Sequence, residues 1–170
     1  MTNKQVYVGF DCSSKAIHGV LLDTDGKLLH QQKWASSKDT YHERFLEITA
    51  NFWADNSRIK TILTESKKAM AAILAAVEAA IYIQNPHTTL AIASVVGCVD
   101  FICNQSGFEV VLIDNRKWKK ELLGKGNAKK SDILKFAKDK WGDVFEEQDF
   151  ADAACIALWR KQKEDLDEKS

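Results

Sequence analysis

The stretch Gln5–Ala35, QVYVGFDCSSKAIHGVLLDTDGKLLHQQKWA, decides the fold. Its first part, QVYVGFD, is rich in β-branched and aromatic residues and reads as a buried strand. SSKAIHGVLLD follows as a second strand, DTDG at Asp23–Gly26 is a hairpin turn signal, and KLLHQQKWA returns as a third strand. Connections this short join antiparallel strands. Asp11 ends the first strand, a place where a charge costs free energy unless it is used.

Beyond the hairpins the pattern changes period. Tyr41, Phe45, Ile48 and Phe52 step by four, three and four, which predicts an amphipathic helix. IKTILTE is expected as a fourth strand ending at Glu65. Ala69–Ile83 and Leu90–Asn104 read as two apolar helices on either side of QNPHT, which holds the only proline. FEVVLID reads as a fifth strand. A short helix at Trp118–Leu123, a glycine turn at Gly124–Gly126, a helix at Lys129–Trp141 and a closing helix from Asp149 complete the order. Three antiparallel strands followed by strands alternating with helices give an α/β domain. This is the RNase H-like arrangement, a mixed five-stranded sheet with helices on both faces. One domain is expected over residues 1–160, with a polar, fraying tail over 161–170.

The 170 residues carry no net charge, yet the charge is segregated. Asn115–Lys140 holds ten basic residues against three acids, a net +7, and Trp141–Leu158 holds five acids and no Lys or Arg. A basic stretch of this kind fits a nucleic-acid backbone, while solvated helix faces alone account for about half of these charges. Cys12, Cys98, Cys103 and Cys155 form no CxxC pair and read as free thiols, which fits a reducing, cytoplasmic setting. The N-terminus reaches Asp11 too soon for a signal peptide, and the apolar runs are shorter than a membrane span; no membrane partner is expected.

The closing segment QDFADAACIALW (Gln148–Trp159) sets two carboxylates, Asp149 and Asp152, at the mouth of an apolar helix. Acids in a first turn favour the helix dipole and need no further role. Residues i and i+3 also share a helix face and can hold a hard cation together. If the strands ending at Asp11 and Glu65 are neighbours, the closing helix brings Asp149 and Asp152 to the same edge. Four carboxylates in one place repel. Two Mg²⁺ ions, for which Mn²⁺ can substitute, would neutralise them and support in-line phosphodiester hydrolysis.

With these residues in order, the chain resembles the RuvC-type Holliday junction resolvases of bacteria and phages. VGFDCSSKAIHGVLLD is similar to that family's first strand and hairpin, with Asp11 at the first catalytic position. ILTES places Glu65 at the second, and DFADAACIAL matches the D-x-A-D-A helix, giving Asp149 and Asp152. NRKWKKELLGKGNAKKSDILKFAK resembles the basic segment, in which a lysine precedes a G-x-G-x-A-x-K turn. Lys119 is that lysine, and Gly124, Gly126, Ala128 and Lys130 fill the turn.

The resemblance implies an RNase H-like fold and a Mg²⁺-dependent homodimer that binds a four-way DNA junction and nicks two strands. Asp11, Glu65, Asp149 and Asp152 would be the metal ligands, with Lys119 and Lys130 beside the scissile phosphate. Arg116, Lys117, Lys120, Lys125 and Lys129 would hold flanking DNA, and Gly124 and Gly126 would let the chain approach phosphates. The family has a short loop after its second carboxylate, often with an aromatic wedge. Here a longer stretch follows Glu65, with Lys67, Lys68 and Met70 in the wedge's place and no aromatic before Tyr82. Other branched or flapped DNA is therefore a further candidate substrate. The alternatives are a junction-binding module of weak catalysis and an ATP-binding domain of the acetate/sugar-kinase type. The latter fits GFDCSSKAIHGVLLDTDG but lacks a second lobe and a second phosphate loop. Ala69–Ile83 and Leu90–Cys103 are the candidate dimer surfaces, with Val77 and Ile81 on the first.

Overall fold

A computed structural model describes residues 5–65, 72–80 and 85–167, with the side chains of 57–65 outside that description. The elements run β1 (Val6–Cys12), β2 (Ala16–Leu22), β3 (Leu28–Ala35), α1 (Tyr41–Glu65), β4 (Ile73–Glu78), α2 (Pro86–Gln105), β5 (Glu109–Ile113), α3 (Asn115–Leu123), α4 (Lys130–Trp141) and α5 (Gln148–Asp167). They build one five-stranded sheet of order β3-β2-β1-β4-β5. The β1–β2 and β2–β3 pairs are antiparallel, and β1–β4 and β4–β5 are parallel. The expected mixed α/β sheet of RNase H-like order is borne out.

Side chains alternate across a strand, so each central strand feeds two cores. Val6, Val8 and Phe10 of β1 and Ile73, Ala75 and Val77 of β4 face one layer. There they meet Ile48 and Phe52 of α1 and Val95 and Val99 of α2. Tyr7 and Leu74 face the other layer, against Ala153, Ala154 and Ala157 of α5, and Ala76 packs there with Trp118 of α3 and Ile133 of α4. Helices thus cover both faces.

The alanines of α5 have a steric reason. A Cβ built on Gly9, in the middle of β1, would lie 2.0 Å from the Ala153 carbonyl oxygen and 2.4 Å from the Ala157 nitrogen. Strand and helix therefore meet backbone to backbone, which only glycine opposite small residues permits. Indole N–H groups tie the layers together, as buried tryptophans require. Trp159 Nε1 donates to Glu121 Oε2 at 2.7 Å, Trp141 Nε1 to the Gly26 carbonyl at 2.9 Å, and Trp34 Nε1 to Asp55 Oδ2 at 2.9 Å.

Several expectations are corrected. IKTILTE is not a strand; it forms the last turns of α1, which continues through Glu65. The fourth strand lies later, at Ile73–Glu78, inside the run expected as an apolar helix. Alanine favours helices in isolation, but tertiary context overrides that preference. Ala75 and Ala76 fill the narrow centre of the sheet and are wholly buried. Val77, expected on a dimer surface, is likewise in the core, and Ile81 lies outside the described residues. The tail expected from residue 161 is helical through Asp167, with Lys161 paired to Asp165 at 2.5 Å and Lys163 to Glu121 at 2.7 Å. α2 is long and apolar enough to cross a membrane by length and composition, and one of its faces packs on the sheet.

Candidate functional site

Asp11 lies two residues past Gly9 on β1, so it points to the same face as the α5 contact. Asp149 and Asp152 occupy the first turns of α5, just before the alanines that seat the helix on that strand. The close approach at Gly9 therefore delivers the three acids to one spot. Ligand atoms of Asp11, Asp149 and Asp152 all lie within 4.8 Å of one another, and all three residues are partly buried.

The end of the neighbouring strand holds a fourth acid, Glu78. Phe10 is in register with Val77, so Asp11 and Glu78 are the next positions along paired parallel strands. This is the place expected for Glu65, which instead ends α1, a helix of the opposite layer. Glu78 escaped the sequence reading because AAVEAA looked helical. The available signal was the one used for Asp11: ILAAVE is a short apolar run closed by a carboxylate.

Electrostatics set the site apart. Burial, and then the charges of Asp152, Glu78 and Asp149, push the Asp11 carboxyl well above the usual aspartate range. Burial likewise pushes Asp152 up to about 6; Gln148 and Lys119 oppose the shift, and Glu78 and Asp149 add to it. Such a set of hard oxygen donors, with too little positive charge around it, fits a divalent cation.

A further residue was missed. His18, the β2 partner of Asp11 in register, is buried, with Nδ1 3.9 Å from Asp149 Oδ2 and Nε2 3.2 Å from Glu147 Oε2. Lys33 clamps Glu147 with Nζ contacts of 2.7 and 2.8 Å. A lone histidine in an apolar strand gives no sequence signal of this placement.

The expected basic residues divide. Lys130 Nζ lies 3.9 Å from Asp149 Oδ1, and the Lys119 charge bears on Asp152; both stand at the carboxylates. Arg116, Lys117 and Lys120 are exposed on α3, and Lys129 is exposed at the start of α4. Lys125 pairs with Asp132 at 3.2 Å. Gly124 ends α3 with φ 79°, a left-handed conformation that favours glycine, and Gly126 packs against the Arg116 carbonyl. Both glycines thus have reasons within the chain itself. Lys67 and Lys68 lie outside the described residues.

A five-stranded mixed sheet, with carboxylates gathered at the ends of its two central strands and at the start of its closing helix, defines an RNase H-like fold. No family model matches the chain, and no curated protein matches it. Among solved structures it is similar to T. thermophilus RuvC in complex with Holliday junction substrate. The TM-score is 0.73 at 16% identity, over 95% of this chain and 96% of that one. A second Thermus thermophilus RuvC structure gives a TM-score of 0.70 at 19% identity, over 96% and 97%. The chain has the RuvC-type fold over nearly its whole length.

Cation uptake should depend on pH in a definite direction. A carboxyl raised by burial binds its proton more tightly in the folded state, so metal-free stability falls as pH rises from the ordinary aspartate value towards about 6. A cation must displace that proton, so its affinity grows over the same interval. The rise in melting temperature caused by millimolar Mn²⁺ should be larger at pH 8 than at pH 5.5. Equal shifts at both values would exclude these acids as the ligands.

Proposed function

We propose that this chain is a divalent-metal-dependent, structure-selective endodeoxyribonuclease that nicks four-way (Holliday) or other branched DNA junctions. The observation that carries the reading is the cluster Asp11, Asp149 and Asp152, with Glu78 beside it and a basic helix alongside, on a RuvC-type fold. Asp11, Asp149, Asp152 and Glu78 are the residues that would hold the metal, proposed as two Mg²⁺ ions with Mn²⁺ as a substitute. A cation in such a site supplies Lewis-acid polarisation of the phosphodiester and a nucleophile at neutral pH. The chain's own residues do the rest. α5, locked against β1, keeps the acids in fixed relation, as preorganised sites require. Lys119 and Lys130 offset phosphate charge next to the acids, and Arg116, Lys117, Lys120 and Lys129 hold the flanking backbone.

Paired nicks need two sites, and a two-fold homodimer supplies them. Support comes from the outer face of α2, where Leu90 is 67% and Phe101 57% exposed and nothing lies within 4 Å of a Cβ added at Gly97. The second strand-end acid is Glu78, and Tyr82 follows four residues later, so the aromatic expected in the short loop has a candidate, outside the described residues.

Labelled four-way, flapped and plain duplex DNA, each with Mg²⁺ or with EDTA, test the reading. The expected result is cutting of branched DNA in Mg²⁺ only, by a particle of twice the 19.1 kDa chain mass in light scattering. Phe101→Glu should give monomers that make single nicks. Binding without cutting in either Mg²⁺ or Mn²⁺ would leave a junction-binding module.

A further inference from the structure

Glu78 is held by a hydrogen bond at each of its two oxygens, whereas the partners of Asp149 stand 3.9 Å away. Asn115 Nδ2 donates to Oε1 at 2.7 Å, and Trp118 Nε1 donates to Oε2 at 2.8 Å. Both donors belong to α3, the helix that carries Arg116, Lys117, Lys119 and Lys120. That helix is itself fixed. Glu78 is in register with Ile113, the Ala79 N–H donates to the Ile113 carbonyl, and Asp114 caps α3 through the Arg116 and Lys117 amides. Trp118 is 1% exposed and packs in the core beneath α5. Its indole is thus rigid, and its N–H reaches a charged acceptor instead of a backbone carbonyl. The next residue, Lys119, bears on Asp152. One short helix therefore addresses two of the four acids, one by neutral donors and one by charge.

We propose that Asn115 and Trp118 are positioning residues that hold the Glu78 carboxylate in the orientation needed to complete the cation site, and so join the DNA-facing helix to that site. The inference rests on the nuclease reading. A carboxylate offers about four lone-pair positions, so two N–H donors leave it able to take a cation while removing its freedom to rotate. Neutral donors also preserve its charge, which a lysine partner would offset. Groups that orient a metal ligand in this way typically contribute about 10–100-fold to metal affinity or activity.

Two variants separate positioning from packing. Trp118→Phe keeps an aromatic ring in the core but removes part of the indole with its N–H, so its melting temperature is read alongside and Asn115→Ala carries the separation. Asn115→Ala touches no core contact and removes the other donor. Mn²⁺ binding by calorimetry should weaken about tenfold in each variant and further in the pair, with branched-DNA affinity unchanged. In cleavage, kcat should fall while KM for DNA stays constant. Glu78→Gln should cost less in the paired background than in wild type, because the carboxylate it removes is already misplaced. Asn115→Ala and Trp118→Phe proteins that bind Mn²⁺ as wild type does would overturn the inference. So would a wild type that binds no Mn²⁺. Weakened Mn²⁺ binding in a protein that cuts no branched DNA would uphold the inference and sink the nuclease reading.

Discussion

Replacing Asp11, Glu78, Asp149 or Asp152 by the matching amide should leave a folded protein that binds branched DNA and does not cut it. In the proposed site a bound cation would contribute several kcal/mol of transition-state stabilisation. At about 1.4 kcal/mol per decade, its loss costs roughly a hundredfold or more in rate. On the proposed reading DNA is held by the lysines of α3 and α4, so its affinity should hold or rise as negative charge is removed. Asp11→Asn and Asp152→Asn should also raise metal-free thermal stability, because each removes a carboxylate that burial and its neighbours already disfavour. Glu65→Gln is the discriminating control. It changes the end of a helix in the opposite layer, so cutting should persist. A silent Glu65→Gln protein alongside an active Glu78→Gln protein would return the second position to Glu65.

Gly9→Ala should be the most damaging single methyl in the described part of the chain. The added carbon meets the Ala153 carbonyl at 2.0 Å and the Ala157 nitrogen at 2.4 Å, and neither backbone atom can yield without moving α5. Overpacking of a core typically costs about 1–3 kcal/mol, and a clash of this kind with backbone lies at or beyond that upper end. For a chain of this size the melting temperature should drop by about 10 °C or more. The lifted helix also carries Asp149 and Asp152 away from Asp11, so Mn²⁺ binding should weaken even where the variant remains folded. Thermal unfolding followed by circular dichroism, with a Mn²⁺ titration below the transition, measures both effects. A Gly9→Ala protein with wild-type stability would mean that α5 is not seated there.

Much of this was legible in the chain, and the exceptions have physical causes. The hairpin strands announced themselves because their turn, Asp23–Gly26, has its own chemistry, with the Gly26 N–H donating to the Asp23 carbonyl at 2.9 Å. Asp11, Asp149 and Asp152 were readable because each stands at the boundary of a strongly apolar element. Glu78 was not, because the centre of the strand it closes is a pair of alanines within an alanine-rich run, and the place of such residues is decided by the space between two helix layers and not by local preference. IKTILTE misled in the opposite direction: β-branched residues there extend a helix already begun at Tyr41. Asn115, Trp118 and His18 are invisible to local reading, since their acceptors lie far along the chain and only the sheet order brings them near.

The seating of α5 on β1 also fixes when the site can exist. Asp11 comes from β1, Glu78 from β4, and Asp149 and Asp152 from α5, which follows both strands in the chain. A chain still on the ribosome can pair its hairpins and bury much of one layer, yet it holds no acidic cluster until α5 has emerged and docked at Gly9. The acidic cluster is thus a product of the assembled fold, and no stretch of the chain that stops short of α5 can carry it.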